Sequence, residues 1–169
     1  MQVIIYSLEV NKKSIQLAPH DPEAHYNLGV ILKELGRWKE AAASYQNAIE
    51  LKPDYAIAYS NLGDALKALD RLEEAAESYR KAINTMPAIS AFYRNRGVVL
   101  QKLRRSNEAI TSYIKAINLN PEFAEAYNNL GNILLNEGRM GEARVNYIKA
   151  IHLKPKFVEA RFNLSTNLG

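Results

Sequence analysis

Residues 56–89 read AIAYSNLGDALKALDRLEEAAESYRKAINTMPAI. In this stretch Tyr59, Leu62, Gly63 and Leu66 recur at i, i+3, i+4 and i+7, the spacing of one face of a helix. Ala75, Tyr79, Ala82 and Ile83 follow at i, i+4, i+7 and i+8 and run up to Pro87, which predicts a second helix. A proline cannot continue that helix and restricts the residue before it, so the unit closes there. The stretch therefore predicts a helix, a short turn and an antiparallel helix.

Working outward, the same pattern returns every 34 residues. Pro19, Pro53, Pro87, Pro121 and Pro155 share that step, as do Gly29, Gly63, Gly97 and Gly131. So do Ala41, Ala75, Ala109 and Ala143, the tyrosines 45, 79, 113 and 147, and Ala48, Ala82, Ala116 and Ala150. Small residues at fixed places let two backbones approach, and the tyrosine fills the space beside them. One such hairpin cannot bury its apolar faces alone, so neighbours are expected to stack. Residues 1–169 are expected to form a single array with complete repeats at 22–55, 56–89, 90–123 and 124–157. Residues 1–21 read as the second helix of an incomplete repeat, with Ile15 and Leu17 standing where Ile49 and Leu51 do. Residues 158–169 read as a lone first helix, with Leu164 in the leucine column and Ser165 in the glycine column.

These columns resemble the tetratricopeptide repeat (TPR) family. Its W-x2-L-G-x2-Y, A-x3-F, A and P signature maps onto Tyr59, Leu62, Gly63, Leu66, Ala75, Tyr79, Ala82 and Pro87. The chain departs from it where His25 or a tyrosine stands for tryptophan, and where Arg96 replaces the leucine found at 28, 62 and 130. The resemblance implies an all-α fold, a right-handed α-solenoid of stacked antiparallel helix pairs.

Composition narrows the chemistry. Hydrophobic residues make up 47% of the 169 and charged residues 24%, which is globular usage. The absence of cysteine removes disulfides, thiolate metal sites and a cysteine nucleophile together. No run approaches the roughly 18 apolar residues of a membrane span, so a soluble, cytoplasmic chain without membrane insertion is expected. His20, His25 and His152 have no ligand spacing, and no phosphate-loop, nucleophile-elbow or dinucleotide fingerprint occurs. No catalysis, no cofactor and no metal are expected.

One polar column stands out. The sixth place of the repeat is Asn27, Asn61, Asn95, Asn129 and Asn163, although asparagine is a poor interior helix former. Advancing by about 100° per residue puts this place roughly 200° from the aromatic column, away from the packed stripe. Asp64, Lys67, Arg94, Lys102, Asn128 and Asn132 share that side. In the TPR family first helices line a concave groove, so the resemblance implies a ligand-binding groove furnished by these eleven residues. An amide offers donors and an acceptor to an extended main chain. The alternative is that each amide bonds a neighbouring helix or water. The ladder is similar to that of the TPR arrays of O-linked N-acetylglucosamine transferases. The carboxylate clamp of chaperone-binding TPR domains is not matched, because its lysine is missing: the fifth place holds Tyr26, Ser60, Arg94, Asn128 and Phe162.

Charge is uneven. The net value is +4, yet residues 78–107 carry no Asp or Glu and seven cations: Arg80, Lys81, Arg94, Arg96, Lys102, Arg104 and Arg105. This predicts attraction of an acidic or phosphorylated partner to the middle of the array, with a merely solvated basic face as the alternative. Nucleic acid is not expected, since exposed aromatics do not interleave the basic residues. Phe162, Leu164 and Leu168 would leave apolar surface uncovered at the last helix. That predicts a segment of a longer array, a tolerable cap, or a homo-oligomer formed through the ends. The expected function is a non-catalytic scaffold that binds an extended or helical segment of a partner protein. The alternatives are the substrate-recognition segment of a larger glycosyltransferase and a self-assembling scaffold.

Overall fold

The computed structural model describes residues 2–167, with side chains from Tyr6 to Thr166; Leu168 lies outside the described residues. Ten α-helices and no strand form among the described residues, so the fold is all-α, of the stacked helix-pair solenoid class. None of these helices is long and apolar enough to cross a membrane. The chain divides into two compact units, Met1–Pro87 and Ala88–Gly169.

The first unit contains α1 (Gln2–Leu17), α2 (Pro22–Glu34), α3 (Trp38–Leu51), α4 (Ala56–Ala68) and α5 (Leu72–Thr85). Helices α2 and α3 form one hairpin and α4 and α5 the next; α1 packs on α2, and α3 packs on α4. The second unit contains α6 (Ser90–Lys102), α7 (Ser106–Leu119), α8 (Ala124–Asn136), α9 (Met140–Leu153) and α10 (Val158–Asn167). There α6 pairs with α7 and α8 with α9, while α7 packs on α8 and α9 on α10.

The glycine and tyrosine columns make each hairpin. Tyr45, Tyr79, Tyr113 and Tyr147 are all completely buried. Each ring lies on the glycine of the preceding helix so closely that a Cβ at Gly29, Gly63, Gly97 or Gly131 would sit 2.5–2.8 Å from it. Real carbon contacts lie near 3.5–4.0 Å, so no larger residue fits without moving a buried ring. Alanines 41, 75, 109 and 143 and alanines 48, 82, 116 and 150 are fully buried beside them, completing the joint the sequence predicts.

The turn inside each hairpin is equally regular. In the first repeat Arg37 N–H bonds the Leu32 carbonyl at 2.9 Å and Gly36 N–H bonds Lys33 at 3.0 Å. This six-to-one and five-to-two pairing is a Schellman cap and needs a left-handed residue. The residues there are Gly36 at φ 71°, Asp70 at 58°, Arg104 at 57° and Gly138 at 76°. Two of the four turns therefore hold a side chain in a conformation that glycine adopts freely.

A further column braces the second helices. Arg37, Arg71, Arg105 and Arg139 grip Glu40, Glu74, Glu108 and Glu142 through Nε and Nη2, at 2.5–2.8 Å. This fork-to-fork pairing ties the turn to the first turn of the helix that follows. Each guanidinium holds its carboxyl below the usual carboxylate range, chiefly through the hydrogen bonds.

Candidate functional site

The polar face of the first helices is built separately in each unit. In the first, Asn27 is exposed and Asn61 half-buried. Asn61 Nδ2 donates to the Tyr26 hydroxyl at 3.1 Å, linking α4 to α2 across 35 residues of sequence. Tyr26 is itself held by rings on either side, with centroids 5.9 Å from Tyr45 and 5.1 Å from Tyr55. Beside it Asp64 accepts the Tyr79 hydroxyl at 2.6 Å and Lys67 Nζ at 3.1 Å. Asp64 thus joins the two helices of its own hairpin and half-neutralises the lysine at the same time.

Tyr45 breaks the rule. Its hydroxyl is buried with no partner among the described residues: Val30 stands in the column that supplies Asp64 to Tyr79, and Lys33 in the column that supplies Gln101 to Tyr113. Burial pushes this phenol well above the usual tyrosine value, with Tyr26 and Asp64 adding to the shift.

In the second unit Asn95 and Asn129 are half-buried. Arg94 Nη1 donates to Asn95 Oδ1 at 2.7 Å, so the guanidinium lies along its own helix with Nε buried and unpartnered. Asn128 is only 1% exposed. Its amide donates to Glu159 at 2.8 Å and its oxygen accepts Asn163 at 3.3 Å. Asn163 also donates to Asn132 at 2.8 Å, and Asn132 accepts the Tyr147 hydroxyl at 2.8 Å. Asn128, Asn132 and Asn163 therefore form one amide network joining α8 to α10 and α9. Asn27 and Asn129 hold no side-chain hydrogen bond among the described residues.

The amide column thus has three kinds of member, Asn95 being bonded within its own helix by Arg94. Asn61 and Asn163 reach back to the previous first helix, as the neighbouring-helix alternative requires, while Asn27 and Asn129 keep their whole capacity. The spacing of the column cannot separate them, since the difference lies in what the preceding first helix offers: Tyr26 to Asn61, and Asn128 and Asn132 to Asn163.

The basic stretch is sorted by partner. Arg80 pairs with Glu77 at 2.5 Å, Lys81 lies 5.6 Å over the Tyr59 ring, and Arg105 is taken by Glu108. Arg96, the leucine substitute, reaches Ser112 at 3.3 Å and Glu108 at 3.4 Å, with Nε buried and unpartnered. Lys102 and Arg104 are exposed and form no ion pair among the described residues. His25 donates to the Pro19 carbonyl at 2.9 Å, which gives it a structural partner at the first-helix aromatic place. No group of three or more His, Asp or Glu that could hold a metal occurs among the described residues.

The arginine–glutamate column and the hydroxyl acceptors at Asp64, Asn132 and Gln101, the last taking the Tyr113 hydroxyl at 3.0 Å, were legible as types but not as partners. The signal for the first was the same 34-residue step, Arg37 to Arg139 and Glu40 to Glu142, four of four.

Stacked helix hairpins joined by a glycine–tyrosine contact, with asparagine amides on the first helices of each unit, define a helical-repeat protein. Sequence profiles of the tetratricopeptide repeat match residues 56–89, 124–157 and 11–43, and a TPR repeat profile matches 31–70 and 105–138. The chain belongs to the tetratricopeptide repeat family. No curated protein matches it as a relative. Among solved structures, MamA is 26% identical, with 88% of this chain and 87% of that one aligned at a TM-score of 0.84. YrrB, a TPR protein with an unusual peptide-binding site, is 26% identical over 92% of this chain and 80% of its own, at 0.79. TTC0263, a thermophilic TPR protein of Thermus thermophilus, is 27% identical over 95% and 88%, at 0.76.

Proposed function

We propose that the chain is a non-catalytic scaffold that binds a segment of a partner protein along the first-helix faces, with asparagine amides gripping the partner's main chain. The observation that carries this reading is unspent hydrogen-bond capacity on half-buried first-helix faces within each unit. Asn129 is unpaired, Asn61 has given one amide hydrogen to Tyr26 and keeps its carbonyl, and Asn95 keeps its amide hydrogens after accepting Arg94. An extended main chain needs that mixture of donors and acceptors. Each neutral bond contributes only about 0.5–1.5 kcal/mol net, so several act together. The peptide-binding site of YrrB, a relative by fold and by a quarter of its sequence, supports the same reading.

Arg94 and Lys102 bias the second unit toward acidic segments. Lys67 contributes less, because Asp64 already holds it at 3.1 Å.

The test is selection of binding peptides from a random displayed library, followed by affinity measurement with Asn61→Ala/Asn95→Ala/Asn129→Ala. The triple variant is expected to lose at least tenfold in affinity while its helical circular dichroism is retained. An unchanged affinity rejects the amide grip.

A further inference from the structure

Three departures from the repeat pattern converge on one cavity. The thirteenth place is Glu34, Ala68, Lys102 and Asn136 in successive repeats; the fifteenth is Gly36, Asp70, Arg104 and Gly138; the seventeenth is Trp38, Leu72, Ser106 and Met140. Only the third repeat puts a cation at the first two places and a hydroxyl at the third. Lys102, Arg104 and Ser106 all line a cavity of about 500 Å³, together with Gln101, Asn136 and Glu137.

The two cations are unspent. Elsewhere in the acid-free stretch, Arg80, Arg96 and Arg105 are paired to glutamates, whereas Lys102 and Arg104 form no ion pair among the described residues. Arg104 occupies its place at φ 57°, where the first and last complete repeats use glycine. The Gln101 and Leu100 carbonyls near the end of α6 are already taken, by Arg104 N–H and Arg105 N–H. The first turn of α7, which opens with Ser106, has no capping side chain, so its amide hydrogens stay open to an acceptor. The other second helices share that last feature; the two cations are what set this turn apart. Glu137 is the one carboxylate on the lining, exposed at its rim.

We infer that this cavity is a binding site for a phosphorylated side chain of the partner protein, the phosphoryl oxygens taken by Lys102, Arg104 and Ser106. A phosphoserine carries close to two negative charges near neutral pH and three acceptor oxygens, which two cations and a hydroxyl match. The cavity lies within the range that takes a small ligand. Lys102 belongs to both this cavity and the first-helix face, but none of the gripping amides Asn61, Asn95 and Asn129 lines the cavity; the site's assignment rests on the reading of the chain as a protein-binding scaffold.

The test is a proton–nitrogen correlation titration of the whole chain with acetyl-Ala-phosphoSer-Ala-amide, with the unphosphorylated tripeptide and with inorganic phosphate. The phosphopeptide is expected to saturate, with shifts concentrated at Lys102, Arg104, Ser106 and Asn107, and to bind more tightly than phosphate. Lys102→Asn/Arg104→Gly installs the residues the fourth repeat already carries at these places, so folding is retained, and it is expected to weaken binding at least tenfold. Glu137→Gln is expected to tighten it. Absent shifts, shifts spread over all cations, or full binding by the double variant overturn the site. Equal affinity for phosphate overturns its assignment to a side chain of a protein. Failure here leaves the amide-grip affinities untouched, so the two readings fall separately.

Discussion

The hydroxyl of Tyr79 donates to the carboxylate of Asp64 at 2.6 Å, whereas the equivalent hydroxyl of Tyr45 is buried with no partner among the described residues. The rings occupy the same place in successive repeats and are equally buried, so the pair contrasts a hydroxyl bonded to a carboxylate with one that is not. Tyr79→Phe is expected to destabilise the chain by about 1–2 kcal/mol, the low end for a bond to a charged group because Asp64 is partly exposed. Tyr45→Phe is expected to be neutral or slightly stabilising, since it removes a buried hydroxyl that bonds nothing. Chemical denaturation of both variants checks this; equal losses would show that the hydroxyls are satisfied alike.

The hairpin joint was legible in the sequence, since glycine and tyrosine recur at one step, but the distance that makes glycine obligatory was not. Gly97→Ala would place its methyl 2.6 Å from the fully buried Tyr113 ring. A loss of about 1–3 kcal/mol is expected, despite the better helix propensity of alanine. Gly141→Ala, with nothing within 4 Å of the new carbon, is expected to gain about 0.5 kcal/mol. Thermal melts of opposite sign are the outcome to look for.

Arg104 at φ 57° occupies a position where glycine carries no steric penalty. Arg104→Gly is expected to raise stability by about 0.5–1 kcal/mol, partly offset by the freer unfolded chain. Gly138→Ala is expected to lower it. A drop on Arg104→Gly would mean that contacts of the arginine outweigh its backbone strain.

Arg96 stands in the leucine column with Nε buried and unpartnered, and the glutamate it reaches is already gripped by Arg105. Arg96 is half-buried, and replacing a poorly satisfied, partly desolvated ion by a packed apolar residue is often stabilising. Arg96→Leu is therefore expected to raise the denaturation midpoint, by about 1–2 kcal/mol in stability, because Glu108 keeps its bidentate partner. A destabilised variant would show that the Ser112 and Glu108 contacts matter more than the desolvated guanidinium.

The arginine–glutamate column gives the pH dependence its sign. Glu40, Glu74, Glu108 and Glu142 titrate below the usual 4.5 in the folded chain. A carboxyl with a lowered folded value contributes above the unfolded value and loses that contribution as pH falls through the folded one. Melting temperature is expected to hold between pH 7 and 5 and to fall below about 4.5, by a small amount for exposed pairs and less at high salt. Arg37→Gln/Arg71→Gln/Arg105→Gln/Arg139→Gln should separate from the parent at pH 7 and converge on it once the pH has fallen through the lowered folded-state values of the four glutamates. A difference that persists at the acid end would assign the effect to something other than the ion pairs.

The sequence alone determined the helix pairs, their turns and the family, because a 34-residue step repeated in five columns needs only local periodicity and steric size to be read. It also marked the asparagine column and the acid-free stretch. Only the tertiary structure decided which of those groups remain available. Asn61 is partly committed to Tyr26, Asn128 is sealed at 1% exposure beneath Glu159 and Asn163, and Arg96 and Arg105 share Glu108, while Lys102 and Arg104 stand unpaired. The reason is physical: a side chain's type and helix face follow from its position in the chain. Its hydrogen-bond partner is set by which residue of the next helix comes within about 3 Å, a distance fixed only when the repeats are packed.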